Sequence, residues 1–313
     1  MNRPHPDGLK VFAPASVANI AVGYDILGFA VDGLGDEVIV KRGDKPGLYI
    51  NRIIKNKGLS TDILKNTAGY AAHRLLQSLN LEQEPIEMEL IKNMQIGTGL
   101  GSSASSAVAG VFAVNEYLGS PCSKSELLRF ATEGEQVADG SFHADNVAPS
   151  LLGGIILIRD NESLDYIKLP SPIGLKVLIV HPHVEVLTRN SRSILKDSVS
   201  LDSHITQSGN LAAFVAGLYR SDFQLISRSL NDCIIEPQRS GLIPYFNEIK
   251  EIAMKESLLG FSISGAGPSM FGLTDNSLFA ENAQEKIKSF LAEKKVKADF
   301  YISNINLEGA KKY

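Results

Sequence analysis

Three stretches combine residue types that could do chemistry. The sharpest is Ile96-Gly97-Thr98-Gly99-Leu100-Gly101-Ser102-Ser103-Ala104-Ser105-Ser106. Three alternating glycines follow an apolar strand, and serines then open a helix. Glycine lets backbone N–H groups approach a ligand closely, and a helix start leaves its first N–H donors unpaired. The helix dipole adds partial positive charge there, so the order strand, glycines, serines, helix suits an anion such as phosphate. The bland alternative is a flexible turn ending in a helix cap. A Walker A loop is excluded, because no Gly-Lys dipeptide occurs in the chain. The dinucleotide fingerprint fails too: only Leu100 separates the second and third glycines, where two residues are needed. The second stretch, Ser264-Gly265-Ala266-Gly267-Pro268-Ser269, lies between two apolar strands. Alone it reads as a hairpin turn, and it gains weight beside the first.

The third signal is polar residues in apolar company. On the helix after Ser123 the inward stripe runs Leu128, Ala131, Glu135, Ala138. A carboxylate on such a stripe is paired, protonated or bound to a cation, unless its head reaches solvent at the helix end. The functional reading is a Mg²⁺ ligand beside the glycine loop. Asn19 and Asp25 flank an apolar stretch with one glycine, and His143, Asp145 and Asn146 crowd a loop before an apolar run. Both segments read equally as loops satisfying their own backbone and as ligand sites. Arg192 follows Thr188 by four residues, a shared helical face. Arg239 sits in Ile235-Glu236-Pro237-Gln238-Arg239. Each arginine alone reads as surface; two near one site would make a carboxylate clamp. His181-Pro182-His183 reads as a strand end, not a metal site. No His-Glu-x-x-His and no Asp-Phe-Gly occurs, so zinc-protease and protein-kinase signatures are absent.

Certain elements must carry these residues. Short strands are expected at Lys10–Ala13, Glu37–Arg42 and Ile86–Ile91. Helices are expected at Ser60–Leu79, at Ser102–Leu118, and from Ser123, where Glu126 completes a capping-box pattern. The second half reads strand (Leu175–Val180), helices (Ile205–Tyr219, Ile243–Met254), strands (Phe261–Ser264, Met270–Leu273), helix (Phe279–Leu291), strand (Asp299–Ile302). That is the split βαβ, ferredoxin-like order. Leu169-Pro170-Ser171-Pro172 is the boundary candidate, and the chain's 313 residues suit two domains.

The bulk numbers bound the function classes. A formal net charge of −4 argues against a sequence-independent nucleic-acid binder. Cys122 and Cys233 lie far apart and form no disulfide or zinc framework. The polar start lacks the apolar region of a secretory signal, and no apolar run nears the ~20 residues of a membrane helix. A cytoplasmic protein is expected, with no nucleic-acid or membrane partner.

Together the segments resemble the GHMP kinase superfamily. Ala13-Pro14-Ala15-Ser16-Val17-Ala18-Asn19 through Asp25-Ile26-Leu27-Gly28 is similar to its first motif. Gly99-Leu100-Gly101-Ser102-Ser103-Ala104 is similar to the second, and Ser264-Gly265-Ala266-Gly267-Pro268 to the third. Within that superfamily the spacing Asn19-x5-Asp25-x-Leu27-Gly28, His143-Ala-Asp145-Asn-x-Ala-Pro149, Thr188-x3-Arg192 and Glu236-Pro-x-Arg239 resembles the homoserine kinase group. Three positions depart from the pattern: Gln95 stands for a usual proline, Ala21 for a glycine and Tyr24 for a phenylalanine.

The resemblance implies an α+β fold of two domains. Residues 1–170 would form an ATP-binding domain like ribosomal protein S5 domain 2, and 171–313 a ferredoxin-like domain. It implies ATP along Gly97, Gly99, Leu100, Gly101, Ser102, Ser103, Ala104 and Ser105, closed by Gly265 and Gly267. Ser103 and Glu135 would hold Mg²⁺. Asn19, Asp25, His143 and Asp145 would line the homoserine pocket, with Arg192 and Arg239 on its carboxylate. Thr188 and Asn19 would serve near the reacting phosphate. The implied activity is phosphorylation of the L-homoserine hydroxyl, a step of threonine biosynthesis, by a homodimer. Asp145 stands either as a ligand of the substrate or as the base that takes its proton. Kinases of mevalonate or a sugar, and a non-catalytic regulator on the same fold, are the alternatives.

Overall fold

A computed structural model describes residues 8–55, 58–184 and 188–313, without the side chains of residues 139 and 188–190. The first half runs β1 (Leu9–Ala18), β2 (Leu27–Arg42), β3 (Leu48–Ile54), α1 (Thr67–Ser78), β4 (Ile86–Ile91), α2 (Ser102–Tyr117), α3 (Lys124–Asp139), α4 (Val147–Leu152), β5 (Ile155–Asp160) and β6 (Asp165–Leu169). The second runs β7 (Lys176–Pro182), α5 (Thr188–Ser193), α6 (Leu201–Arg220), α7 (Phe223–Ser229), α8 (Glu236–Arg239), a 3-10 turn (Ser240–Leu242), α9 (Phe246–Lys255), β8 (Gly260–Ile263), β9 (Met270–Thr274), α10 (Ser277–Glu293), β10 (Ala298–Asn304) and β11 (Lys311–Lys312).

The first sheet has the order β11-β1-β2-β4-β3, with β5 also on β2 and β6 on β5; β3 and β4 are parallel. Besides β1 on one side, the long β2 serves two more partners, β4 through Glu37–Arg42 and β5 through Leu27–Phe29. The second sheet is antiparallel with the order β10-β7-β9-β8, the ferredoxin-like pattern expected from the sequence. Leu169–Pro172 links β6 to β7. The chain end then returns: Val11 pairs with Lys312.

α2 is buried on nearly every side, which its Ala, Val and Gly content allows. It packs against α1, α3 and the first sheet in one core. A second core joins the halves and includes Phe29 from β2 and Phe271 from β9, edge to face at 5.9 Å. Such a pair is worth about 1 kcal/mol beyond its buried area.

Several boundaries differ from expectation: β1 runs on to Ala18, β2 starts at Leu27 rather than Glu37, α6 at Leu201 rather than Ile205 and α9 at Phe246 rather than Ile243. The helix expected from Ser60 begins at Thr67, because Asn66 caps it by accepting from the Ala68 and Gly69 N–H groups. Leu64 is 54% exposed, outside the buried stripe. The capping box at Ser123 and Glu126 forms as expected. Expectation also missed β3, β5 and β6: β3 and β5 pair with strands distant in sequence, and β6 is a short, mostly exposed strand in a hairpin with β5.

Candidate active site

A cleft with a volume of about 1150 Å³ draws on both halves. Its floor is the glycine loop at the start of α2. Gly101 holds the N-cap position with φ +62 and offers no side-chain cap, so the first turn opens to the cleft with N–H donors free of capping. A Cβ on Gly99 would come within 2.6 Å of the Ser264 carbonyl and 2.7 Å of the Gly267 carbonyl. The second and third loops are therefore in backbone contact. Ser264 Oγ donates to the Gly99 carbonyl at 2.6 Å, and the Ser269 N–H to the Thr98 carbonyl at 3.1 Å.

Ser103 Oγ donates to Glu135 Oε1 at 2.8 Å, so α2 and α3 bring together the hydroxyl and carboxylate that were expected to pair. Ser102 Oγ is buried and hydrogen-bonds to no described residue. A hydroxyl and a carboxylate suit a hard divalent cation that keeps its other positions for water and phosphate oxygens. No cluster of three His, Cys, Asp or Glu occurs among the described residues, so such a cation would rely on its ligand.

Under the loop lies a buried pair that sequence reasoning missed. Lys92 Nζ donates to Asp36 Oδ2, to the Ser102 carbonyl at 2.6 Å and to Ser106 Oγ at 2.9 Å. Asp36 Oδ1 accepts from the Asn93 and Met94 N–H groups. Burial pulls the Lys92 ammonium below its ordinary value, and Asp36 opposes that. The only sequence signal was a lysine directly after a strand, where a side chain that long ordinarily reaches solvent.

At the other end the first loop turns sharply. Asn19, Ile20, Ala21 and Asp25 all have positive φ, between +39 and +73. Ala21, at φ +59, occupies backbone space that favours glycine. Asn19 Oδ1 accepts from the Asp25 N–H and its Nδ2 donates to the Gly265 carbonyl, both at 3.0 Å. Asn19 thus ties the first loop to the third.

Arg192 grips Asp25 with both prongs, Nη1 to Oδ2 at 3.1 Å and Nη2 to Oδ1 at 3.3 Å. Arg239 is only 3% exposed and donates to the Ser191 and Gly265 carbonyls at 2.9 and 3.0 Å. α8 is placed for this by Asp232, whose carboxylate accepts from the Ile234, Ile235 and Glu236 N–H groups. Burial lowers the Arg239 pKa, opposed by Tyr24 and Asp25. His143 Nε2 stands 3.7 Å from Asp25 Oδ2, and its Nδ1 is buried with no hydrogen-bond partner among the described residues. Asp145 is buried at the cleft wall. A Cβ on Gly28 would meet its carbonyl at 1.8 Å, which explains a glycine there.

Asn19, Asp25, Gly97, Gly99, Gly101, Ser102, Ser103, Glu135, His143, Asp145, Arg192, Arg239 and Gly265 all line this one cleft. Leu100, Ala104, Ser105 and Gly267 do not. Leu100 fills the core between the halves and Ala104 that of the first. Ser105 Oγ is consumed by the sheet, donating to the Ala13 carbonyl and accepting from the Asp36 N–H. Gly267 shapes its loop with φ +80. The Thr188 side chain lies outside the described residues. His181 and His183, expected as a strand end, do end β7 but also line the cleft. His181 Nδ1 lies 3.0 Å from Ser269 Oγ, and burial, then His183, lowers its pKa against the pull of Asp299.

The GHMP kinases N terminal domain model matches residues 65–154, and the GHMP kinases C terminal model matches 214–293. The chain belongs to the GHMP kinases. A homoserine kinase of Chloroherpeton thalassium is 44% identical over 96% of this chain and 98% of its own. The crystal structure of homoserine kinase from Cytophaga hutchinsonii superposes with a TM-score of 0.96 at 46% identity, covering 100% of this chain and 99% of that one. Methanococcus jannaschii mevalonate kinase, at 17% identity, shares the fold with a TM-score of 0.72 over 97% of this chain and all of its own. The two-domain α+β GHMP kinase fold that the motifs implied is the one observed.

Proposed function

We propose that this GHMP kinase transfers a phosphoryl group from ATP to the side-chain hydroxyl of L-homoserine, a step of threonine biosynthesis. The observation that carries the reading is Arg192 and Arg239 beside Asp25 and Asp145 in the same cleft as the glycine loop. Two guanidinium groups suit a carboxylate, and two carboxylates suit an ammonium. An amino acid satisfies both; mevalonate lacks the ammonium and galactose lacks both charges.

Phosphoryl transfer asks a protein chiefly for alignment and charge neutralisation. The uncapped first turn of α2 supplies donors for phosphate oxygens. Ser103 and Glu135 would hold Mg²⁺, which supplies positive charge to those oxygens when bound. In the free protein Arg192 is paired with Asp25, so an incoming zwitterion exchanges one ion pair for two: its ammonium takes Asp25 and its carboxylate takes Arg192. That exchange keeps the pocket's charge balanced, which a hydroxy acid would not do. Asn19 holds the first and third loops together, so homoserine and phosphate sites move as one unit. Asp145 serves as a ligand of the ammonium.

The division at Pro170, a cytoplasmic location and a homodimer belong to the same reading. No helix among the described residues is long and apolar enough to cross a membrane. Exposed Leu201, Ile205 and Tyr219 on α6 offer apolar surface for a second copy. The deciding assay is ADP release with homoserine, mevalonate, galactose and threonine. Release with homoserine well above the others is expected; none with homoserine overturns the proposal.

A further inference from the structure

Tyr24 touches both arginines. Its hydroxyl oxygen accepts from Arg192 Nη1 at 3.2 Å and from Arg239 Nη2 at 3.3 Å. The two guanidinium carbons lie 6.0 and 5.0 Å from its ring centroid. Arg192 and Arg239 line the cleft, and Tyr24 does not.

Two like charges converge here from different elements, α5 and α8. Left alone they would repel, and a long, flexible arginine side chain has the rotamer freedom to move apart. Arg239 is anchored by its other nitrogens on the Ser191 and Gly265 carbonyls, which leaves Nη2 for the phenol. Arg192 is held by Asp25, the group the substrate ammonium is proposed to claim. One oxygen accepting from both forks fixes their spacing, and the ring face adds attraction for each cation. The backbone supports this placement, since the positive-φ run through Asn19, Ile20, Ala21 and Asp25 presents Tyr24 and Asp25 side by side. Burial, then the Asp25 charge, raises the phenol pKa, so it stays a neutral partner at physiological pH.

We propose that Tyr24 is a positioning residue that presets Arg192 and Arg239 as a single carboxylate clamp, and thereby sets the preference for a carboxylate-bearing substrate. This rests on the proposed homoserine reading. It adds that Arg192 keeps its place when its contact with Asp25 is given up, because Tyr24 still holds it. Binding then loses less to reordering of the clamp.

The test compares the wild type with Tyr24→Phe, which keeps the ring and removes the oxygen. The KM for homoserine is expected to rise about five- to twentyfold, with kcat within about twofold and the KM for ATP unchanged. With 3-aminopropan-1-ol, which is homoserine without its carboxylate, the two proteins should have equal kcat/KM. Calorimetric titration with homoserine should show the same weakening without turnover. An unchanged homoserine KM overturns the proposal. So does an equal loss on both alcohols or a shifted ATP KM, either of which marks a general structural role. Homoserine that reacts equally well in both proteins overturns only the clamp; homoserine that neither binds nor reacts overturns the proposed function as well.

Discussion

At the glycine end of the cleft the wall is backbone: a helix start without a side-chain cap, loops in contact through carbonyls, and two serine hydroxyls. At the arginine end it is charged side chains held by other side chains, Arg192 on Asp25 and both arginines on Tyr24. The glycine end lies mostly on one segment near the start of α2. The arginine end is assembled from the first loop, α5 and α8. Backbone donors suit phosphate oxygens that every ATP presents alike. Charged side chains suit a substrate that must be told apart from its neighbours, because guanidinium and carboxylate groups reject a ligand that leaves them unpaired.

That contrast can be broken from either side. Asp36→Ala strikes beneath the glycine end and leaves the buried Lys92 without its counter-charge. Unfolding free energy by denaturant titration should drop by about 3–5 kcal/mol. Glu135→Gln keeps the shape of the same end and removes the charge; kcat should fall about 10²- to 10³-fold in a coupled assay, with the homoserine KM nearly unmoved. Arg239→Lys strikes the other end. Lysine cannot reproduce three fixed donor directions, so the homoserine KM should rise about ten- to a hundredfold while the ATP KM stays. A large change in the ATP KM would show that the two ends do not work separately.

The smallest effect concerns acid. His181 has a pKa held below the ordinary imidazole value of about 6.5 by burial. The unfolded chain therefore binds this proton more readily, and stability falls as pH drops through 6.5 toward the native value. In His181→Gln the melting temperature should decline less steeply over that range. An unchanged slope would remove His181 as a source of acid sensitivity.

The two ends also differed in how far they could be read in advance. Gly97 to Ser103 and Glu135 were legible because glycine spacing, a serine-opened helix and a carboxylate on an apolar stripe are local signals. Arg192 and Arg239 carried no such signal, and only the family resemblance joined them; in the structure both donate to the Tyr24 hydroxyl, and Arg192 also to Asp25. Lys92, Asp36, His181 and Tyr24 went unassigned because their partners are 10 to 215 residues away. Ser105 was misplaced for a related reason: a helix start looks alike whether a serine faces ligand or sheet, and the Ala13 carbonyl decides it. The second sheet was legible in element order. The full length of β2 was not: only Glu37–Arg42 was expected, and the stretch from Leu27 is settled by pairing with β1 and β5.

The pairing of β11 with β1 has a consequence for association. Lys311 and Lys312 cover part of the edge of β1 that β2 leaves open. An uncovered strand edge is a ladder on which another chain can add. The two lysines therefore put positive charge, as well as a partner strand, on the edge where this sheet would otherwise recruit a neighbour.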